Sequence, residues 1–183
     1  FRGGKKVFTS PQVMGILNVT PDSFFDGSRK QTEKEIAERS NAIISEGGSI
    51  IDVGAFSTRP GAQEVSEVEE MRRLRFALGI VRREQPDAIL SVDTFRPDVA
   101  RMVVEEYGAD IINDVSEGGI TGIVDTPLEG THDDIPEIFR MVAQLKVPYI
   151  LMSVKPTMDT MKSALRKEIA LLHDMGHDDI IID

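Results

Sequence analysis

Six short apolar runs recur along the chain, at QVMGILNV, SIIDVGAF, AILSVDT, DIINDVS, VPYILMSV and DDIIID. They are rich in Ile, Val and Leu and show no strict polar alternation, the pattern of parallel strands buried on both faces. The stretches between them carry helical period. Residues 32 to 46 open with Thr32 and Glu35 in capping-box spacing and stop at Gly47-Gly48, and Ser66 with Glu69 repeats that signature ahead of VEEMRRLRFALGIVRRE. Pro97 is placed to open the helix PDVARMVVEEY and Gly108 to close it; residues 133 to 146 and 158 to 175 behave likewise. From Gly118 the chain runs through GGITGIVDTPLEGTHDD, which is loop-like, with GIVD a candidate for local pairing.

Strands alternating with helices predict a parallel sheet with right-handed crossovers. A dinucleotide-type open sheet would show a G-x-G-x-x-G turn after its first strand, and none is present. Instead a polar residue stands at or near the carboxyl end of nearly every strand: Asn18, Asp52, Asp93, Asn113, Ser153 and Asp183. Side chains converging from several strand ends onto one mouth point to an α/β fold of the (β/α)8 TIM-barrel class. Residues 1–183 read as a single barrel domain with strands 1–6. A full barrel runs to about 250 residues, so the expectation is a chain short of it by about two β/α units at the C-terminal side. The absence of an initial Met fits a partial gene product.

Composition narrows the partners. At 183 residues, 40% hydrophobic and 28% charged, the chain has the make-up of an ordinary soluble globular protein. The net charge of −10 argues against nucleic acid or an anionic membrane as partner, because polyanions need a basic face. No cysteine is present, which removes disulfides and thiolate metal sites and suits a reducing cytoplasm. No apolar run approaches the roughly 18 residues of a membrane span.

The candidate chemistry sits at the strand ends. Asp93 in SVDT and Asn113 in INDVS end consecutive strands, and Asp183 ends the sixth. A buried carboxylate is costly unless something donates to it, so acids and an amide facing one cavity call for a donor-rich partner. Pterins and purines present an N–H and an NH2 in parallel that would answer a carboxylate bidentately. The competing reading is that these residues cap the helices or loops that follow. In STRPGA, Ser57 and Thr58 offer hydroxyls, Arg59 a planar fork suited to phosphate, and Pro60-Gly61 a turn. With Asn18 and Asp22 from GILNVTPDSFFDG, the two loops suit a diphosphate with a Mg2+, while a plain surface turn with a solvated Arg59 stays open as the alternative. Phe24 and Phe25 are candidates either to cover a flat second substrate or to staple the loop onto the barrel. His173 and His177 have helical metal-pair spacing, but Gly176 between them should end the helix and turn His177 away.

The motifs GILNVTPDSFFDG, DVGAFSTRPGA, SVDT and INDVS, in this order, resemble those of dihydropteroate synthase, the folate-pathway transferase inhibited by sulfonamides. The resemblance implies a TIM barrel that joins a dihydropterin-methyl diphosphate to p-aminobenzoate and releases diphosphate. It implies Asn18 as a ligand of diphosphate and its Mg2+, and Asp22, Phe24, Thr58, Arg59 and Pro60 around p-aminobenzoate and the leaving group. Asp93, Asn113, Met152 and Asp183 would hold the pterin, with Asp93, Asp183 and Arg59 as the catalytic set. A cytoplasmic homodimer acting on small molecules goes with it. Members of that family continue past the sixth-strand Asp with Pro-Gly-Phe-Gly, a strand-seven Lys and a strand-eight Arg-x-His, and the sequence ends before them; Ser153 stands where many have His. Two rivals remain at this level, the pterin barrel of methyltetrahydrofolate:corrinoid methyltransferases and a non-catalytic pterin-binding module. The first would not require STRPGA or TPDSFFD.

Overall fold

A computed structural model of the chain describes residues 6–19, 29–55, 65–119 and 135–183, apart from the side chains of 29–31. The elements run β1 (Met14–Asn18), α1 (Arg29–Ser45), β2 (Ile50–Gly54), α2 (Glu67–Glu84), β3 (Ile89–Asp93), α3 (Pro97–Tyr107), β4 (Ile111–Asp114), α4 (Glu137–Leu145), β5 (Tyr149–Leu151), α5 (Met158–Asp174) and β6 (Ile180–Ile182). All six strands are parallel and lie in one sheet in the order β1-β2-β3-β4-β5-β6. A doubly wound sheet reverses its strand order at a switch point, and this one does not. With every crossover of one hand, sequential order puts all the helices on one face. The architecture is therefore that of a TIM barrel, over six of its strands.

Several helix ends follow the local chemistry; others, such as the close of α4 on Lys146 at φ 54°, do not. Ser66 caps α2, its Oγ accepting from the Glu69 N–H at 3.3 Å. The Glu69 carboxylate does not complete a capping box but turns to Arg72 and Arg73, with N–O distances of 2.7 Å to each, and hydrogen bonding to Arg72 holds its pKa down to about 2. Pro97 opens α3, and Gly108 closes it at φ 62°, a left-handed conformation that glycine adopts without steric cost. Helix α1 corrects the expectation. It starts at Arg29, so Thr32 lies within the first turn, buried, and is not the cap that its spacing to Glu35 suggests. Arg, Lys and Gln are strong helix formers, so the three residues ahead of Thr32 extend the helix instead of ending it.

Register separates two faces that the apolar runs conceal. Leu17, Ile51, Val53, Leu90, Val92, Ile112, Tyr149 and Leu151 face outward into one core shared with the helices, including Leu74, Leu78, Val99, Val103, Ile138, Phe139 and Leu172. Each such side chain, fully buried, contributes about 1.5–3 kcal/mol of transfer free energy. The alternate positions form a smaller cluster of Met14, Ile50, Ile89, Ile111 and Ile150, the floor of the barrel interior. Strands β2, β4 and β5 are buried on both sides as expected, but the outer strands are not: Ile16 is 57% and Ile181 43% exposed. Both face inward, on strands with a single partner each, so no neighbour covers them among the described residues. No helix among those residues is long and apolar enough to cross a membrane.

Candidate active site

One row of register partners crosses the carboxyl end of the sheet. Asn18 pairs with Gly54, Gly54 with Asp93, and Asp93 with Asn113. Period two along each strand puts all four on the inward side, above the apolar floor. Gly54 is the gap in this row. A Cβ built there would lie 3.1 Å from Asn18 Oδ1 and 3.5 Å from Asp93 Oδ2, so the missing side chain leaves the space that both polar groups flank.

One row deeper, Asp52 is buried between β1 and β3. Its Oδ1 accepts from Ser91 Oγ at 2.6 Å, and its Oδ2 from Asn113 Nδ2 at 3.1 Å. Burial pushes its pKa up, and the two donors oppose that shift. Asp93 stands next to this group and has no such help. Among the described residues no donor reaches its carboxylate, and its pKa rises to about 7, through burial first and then the charges of Asp52, Asp114 and Glu70. An acid raised toward neutrality by burial and neighbouring charges, at the carboxyl ends of the strands, is a functional-site candidate.

Other buried acids brace the loops around the strand ends. Asp114 faces outward and is saturated with donors: Ser116 N and Oγ on Oδ1, and Gly118 N and Tyr149 Oη on Oδ2. It folds the turn after β4, where Glu117, Gly118 and Gly119 have φ of 56°, 74° and 75°. Glu117 is tied from there to the loop after β5, accepting from Ser153 Oγ at 2.9 Å, Val154 N at 2.8 Å and Lys155 Nζ at 2.8 Å. Burial pulls the Glu117 pKa up, yet Lys155 and the other donors keep it below its ordinary value. Its neighbour Glu168 goes the other way, up to about 8, because it is buried and faces the Glu117 charge. On the opposite side Glu70 accepts from Thr94 Oγ1 at 2.8 Å and Arg96 Nη1 at 2.6 Å. Arg73 donates to the Ala55 carbonyl at 3.4 Å and Arg96 to the Val65 carbonyl at 2.8 Å, so an arginine holds each flank of residues 56–64.

Of the residues singled out from sequence, Asn18, Asp93 and Asn113 share the mouth row. The pairing of Ile150 with Ile181 puts Met152 and Asp183 two steps further along the same inward side. Met152 is half-buried and Asp183 exposed, its N–H donating to the Leu151 carbonyl; no hydrogen bond joins it to Asp93 or Asn113 among the described residues. Ser153 does not join the mouth: its hydroxyl is spent on Glu117. Asp22, Phe24, Phe25, Thr58, Arg59 and Pro60 lie outside the described residues, as does GIVD. Gly176, at φ 75°, follows the end of α5; beyond it His177 is buried while His173 is exposed on the helix, so the two do not face one another. Sequence reasoning placed Asp52 among the strand ends and gave Asp114 and Glu117 no role. The signal for Asp52 was its place two residues ahead of Gly54, which sets it one row below the mouth.

A family model described as "pterin binding enzyme" matches residues 14–179. A mitochondrial folate synthesis bifunctional protein of Arabidopsis thaliana is 41% identical over 153 residues, which are 82% of this chain and 25% of that protein. Dihydropteroate synthase of Streptococcus pyogenes is 38% identical over 139 residues, 72% of this chain and 52% of that protein. Among solved structures, dihydropteroate synthase of Xanthomonas albilineans with 4-aminobenzoic acid superposes with a TM-score of 0.76 at 34% identity, covering 96% of this chain and 61% of that one. The Anaplasma phagocytophilum enzyme with bound 6-hydroxymethylpterin-monophosphate gives 0.77 at 26% identity, covering 94% and 66%. The chain thus spans a quarter to about half the length of these curated relatives. The match runs from the first residue of β1 to the threshold of β6 and takes in the whole mouth row, and on it the chain belongs to the pterin-binding enzyme family.

Proposed function

We propose that the chain carries the pterin-binding part of a dihydropteroate synthase, which joins 6-hydroxymethyl-7,8-dihydropterin diphosphate to p-aminobenzoate, giving 7,8-dihydropteroate and diphosphate. The observation that carries this reading is the unpartnered carboxylate of Asp93. Asp52, Glu70, Asp114 and Glu117 each accept at least two hydrogen bonds, and Asp93 accepts none among the described residues. A heterocycle edge with N–H and NH2 donors supplies what it lacks. The relatives named dihydropteroate synthase support the choice of substrate.

The reaction breaks the bond between the pterin methylene carbon and the diphosphate oxygen, forms a bond from that carbon to the aryl amine nitrogen, and gives up one amine proton. As the diphosphate leaves, positive charge spreads from the methylene into the ring. Asp93 as an anion beside that charge stabilises the transition state more than the ground state. Binding of a donor edge favours the ionised form of Asp93, so a group titrating near 7 in the free protein gives up its proton as the pterin arrives. The aryl amine then needs positioning more than activation. Asp183 belongs with Asp93 in this scheme, and Arg59, Thr58, Pro60, Asp22 and Phe24 with the diphosphate and p-aminobenzoate, on the strength of the sequence resemblance.

A Mg2+ fits as an addition to the diphosphate. Mg2+ is held through one or two protein oxygens plus phosphate and water, and Asn18 Oδ1 at the mouth is one such oxygen. The ion would draw charge from the leaving group. A cytoplasmic homodimer sensitive to sulfonamides goes with the same reading. Isothermal titration decides it: p-aminobenzoate binding only with diphosphate present supports the synthase, pterin binding without it supports a binding module, and no pterin binding refutes both.

A further inference from the structure

Asn113 has two faces to offer a ligand, and only one of its neighbours decides which. A carboxamide presents a carbonyl acceptor on one arm and an NH2 donor on the other, nearly identical in shape, so its orientation is set by what the arms meet. One arm meets Asp52. Asp52 is buried at 5% exposure, lies one row below the mouth, and already accepts from Ser91 on Oδ1. As a carboxylate its remaining oxygen accepts, so the arm of Asn113 that meets it at 3.1 Å is the donor Nδ2. The other arm, Oδ1, diverges from the floor, and no hydrogen bond among the described residues engages it. Reversal would set an amide oxygen against a buried carboxylate, which costs both a hydrogen bond and a repulsion in a site of low polarity.

We propose that Asp52 is a positioning residue that locks the Asn113 amide with its acceptor Oδ1 toward the mouth, and thereby makes the site prefer a heterocycle with an amino group over one with an oxo group at the same position. This rests on the reading that a pterin occupies the mouth. Asp93, an acceptor in its ionised form, lies next to Asn113 in the row, so the two together present a consistently donor-seeking edge. A 2-amino group satisfies that edge; a 2-oxo group sets oxygen against oxygen. Asp52 reaches the mouth through its hydrogen bond to Asn113 and, secondarily, through its charge on Asp93; losing that charge favours the ionised, donor-seeking Asp93, so only the Asn113 contact can account for a weakened amino preference.

The test compares 6-hydroxymethylpterin with its analogue bearing an oxo group in place of the 2-amino group, by isothermal titration with the whole chain and with Asp52→Asn. The unaltered chain is expected to prefer the amino compound by about tenfold or more, the worth of one buried hydrogen bond. In Asp52→Asn the new amide can pair with Asn113 in either orientation, and the preference should fall toward unity. A ratio unchanged in Asp52→Asn overturns the inference and leaves the proposed function standing, whereas binding of neither compound by the unaltered chain overturns both. A merely structural role for Asp52 would weaken the two ligands alike and leave the ratio as it was. Should Asp52→Asn fail to fold, the side-chain amide protons of Asn113 in the unaltered chain decide: slow hydrogen exchange is expected, and exchange as fast as that of an exposed asparagine overturns the lock.

Discussion

The two faces of the same six strands do different work. Outward positions are apolar almost without exception and pack on the helices: Ile51, Val53, Leu90, Val92 and Ile112 are each wholly buried. On β2, β3 and β4 the inward positions are apolar at the floor and become polar toward the carboxyl ends, from Ser91 and Asp52 to Asp93 and Asn113. The outer face carries stability and tolerates no polar group without several donors, as Asp114 shows with four hydrogen bonds. The inner face carries an acid with none among the described residues, held at a pKa near 7. A scaffold stabilised on one side can carry an unfavourable group on the other, and the proposed pterin site lies on that second side.

Substitutions on each face should separate the two properties. Phe139→Ala empties a fully buried site on the outer side, edge-on to Tyr149 at 5.8 Å, and is expected to cost about 3–5 kcal/mol in urea unfolding. Asp93→Asn should do the reverse, weakening pterin binding by the roughly 1.5–3 kcal/mol of hydrogen bonds to a charged group, read by titration, with the fold intact. The same variant carries a pH signature. A raised carboxyl pKa means that the native state binds the proton more tightly than the unfolded chain, so the contribution is fully present below the ordinary value of 3.8 and is lost as pH rises through about 7. Stability of the unaltered chain should therefore fall across that window, and Asp93→Asn should flatten the fall; an unchanged slope would place the titrating group elsewhere. Glu168→Gln should flatten a second decline that extends to about pH 8.

Smaller effects calibrate the comparison away from both faces. Ser66→Ala removes the cap of α2 and should cost about 1 kcal/mol by thermal unfolding. Lys34→Ala breaks an exposed ion pair of 3.5 Å with Glu38 and should change stability by less than about 0.5 kcal/mol, less still in high salt.

The sequence by itself determined the order and kind of the elements, because strand runs and helix punctuation are local: Ser66, Pro97 and Gly108 act on the turns beside them, and the structure uses all three as expected. It also determined which strand ends carry Asn18, Asp93 and Asn113, since position along a strand survives folding unchanged. Even locally it overreached at Thr32, where the spacing of a cap was matched without a helix end to use it. Only the tertiary structure decided which alternate positions of a mostly apolar run face the helices and which face the barrel, because a run such as SIIDVGAF, with a lone Asp52, has no regular polar alternation to mark its inner side. Only it set Asp52 beneath Asn113 from 61 residues away, turned Ser153 to Glu117, and left Asp93 without a donor among the described residues. Those outcomes depend on register between strands and on desolvation, which are properties of packed neighbours and are written in no single segment of the chain.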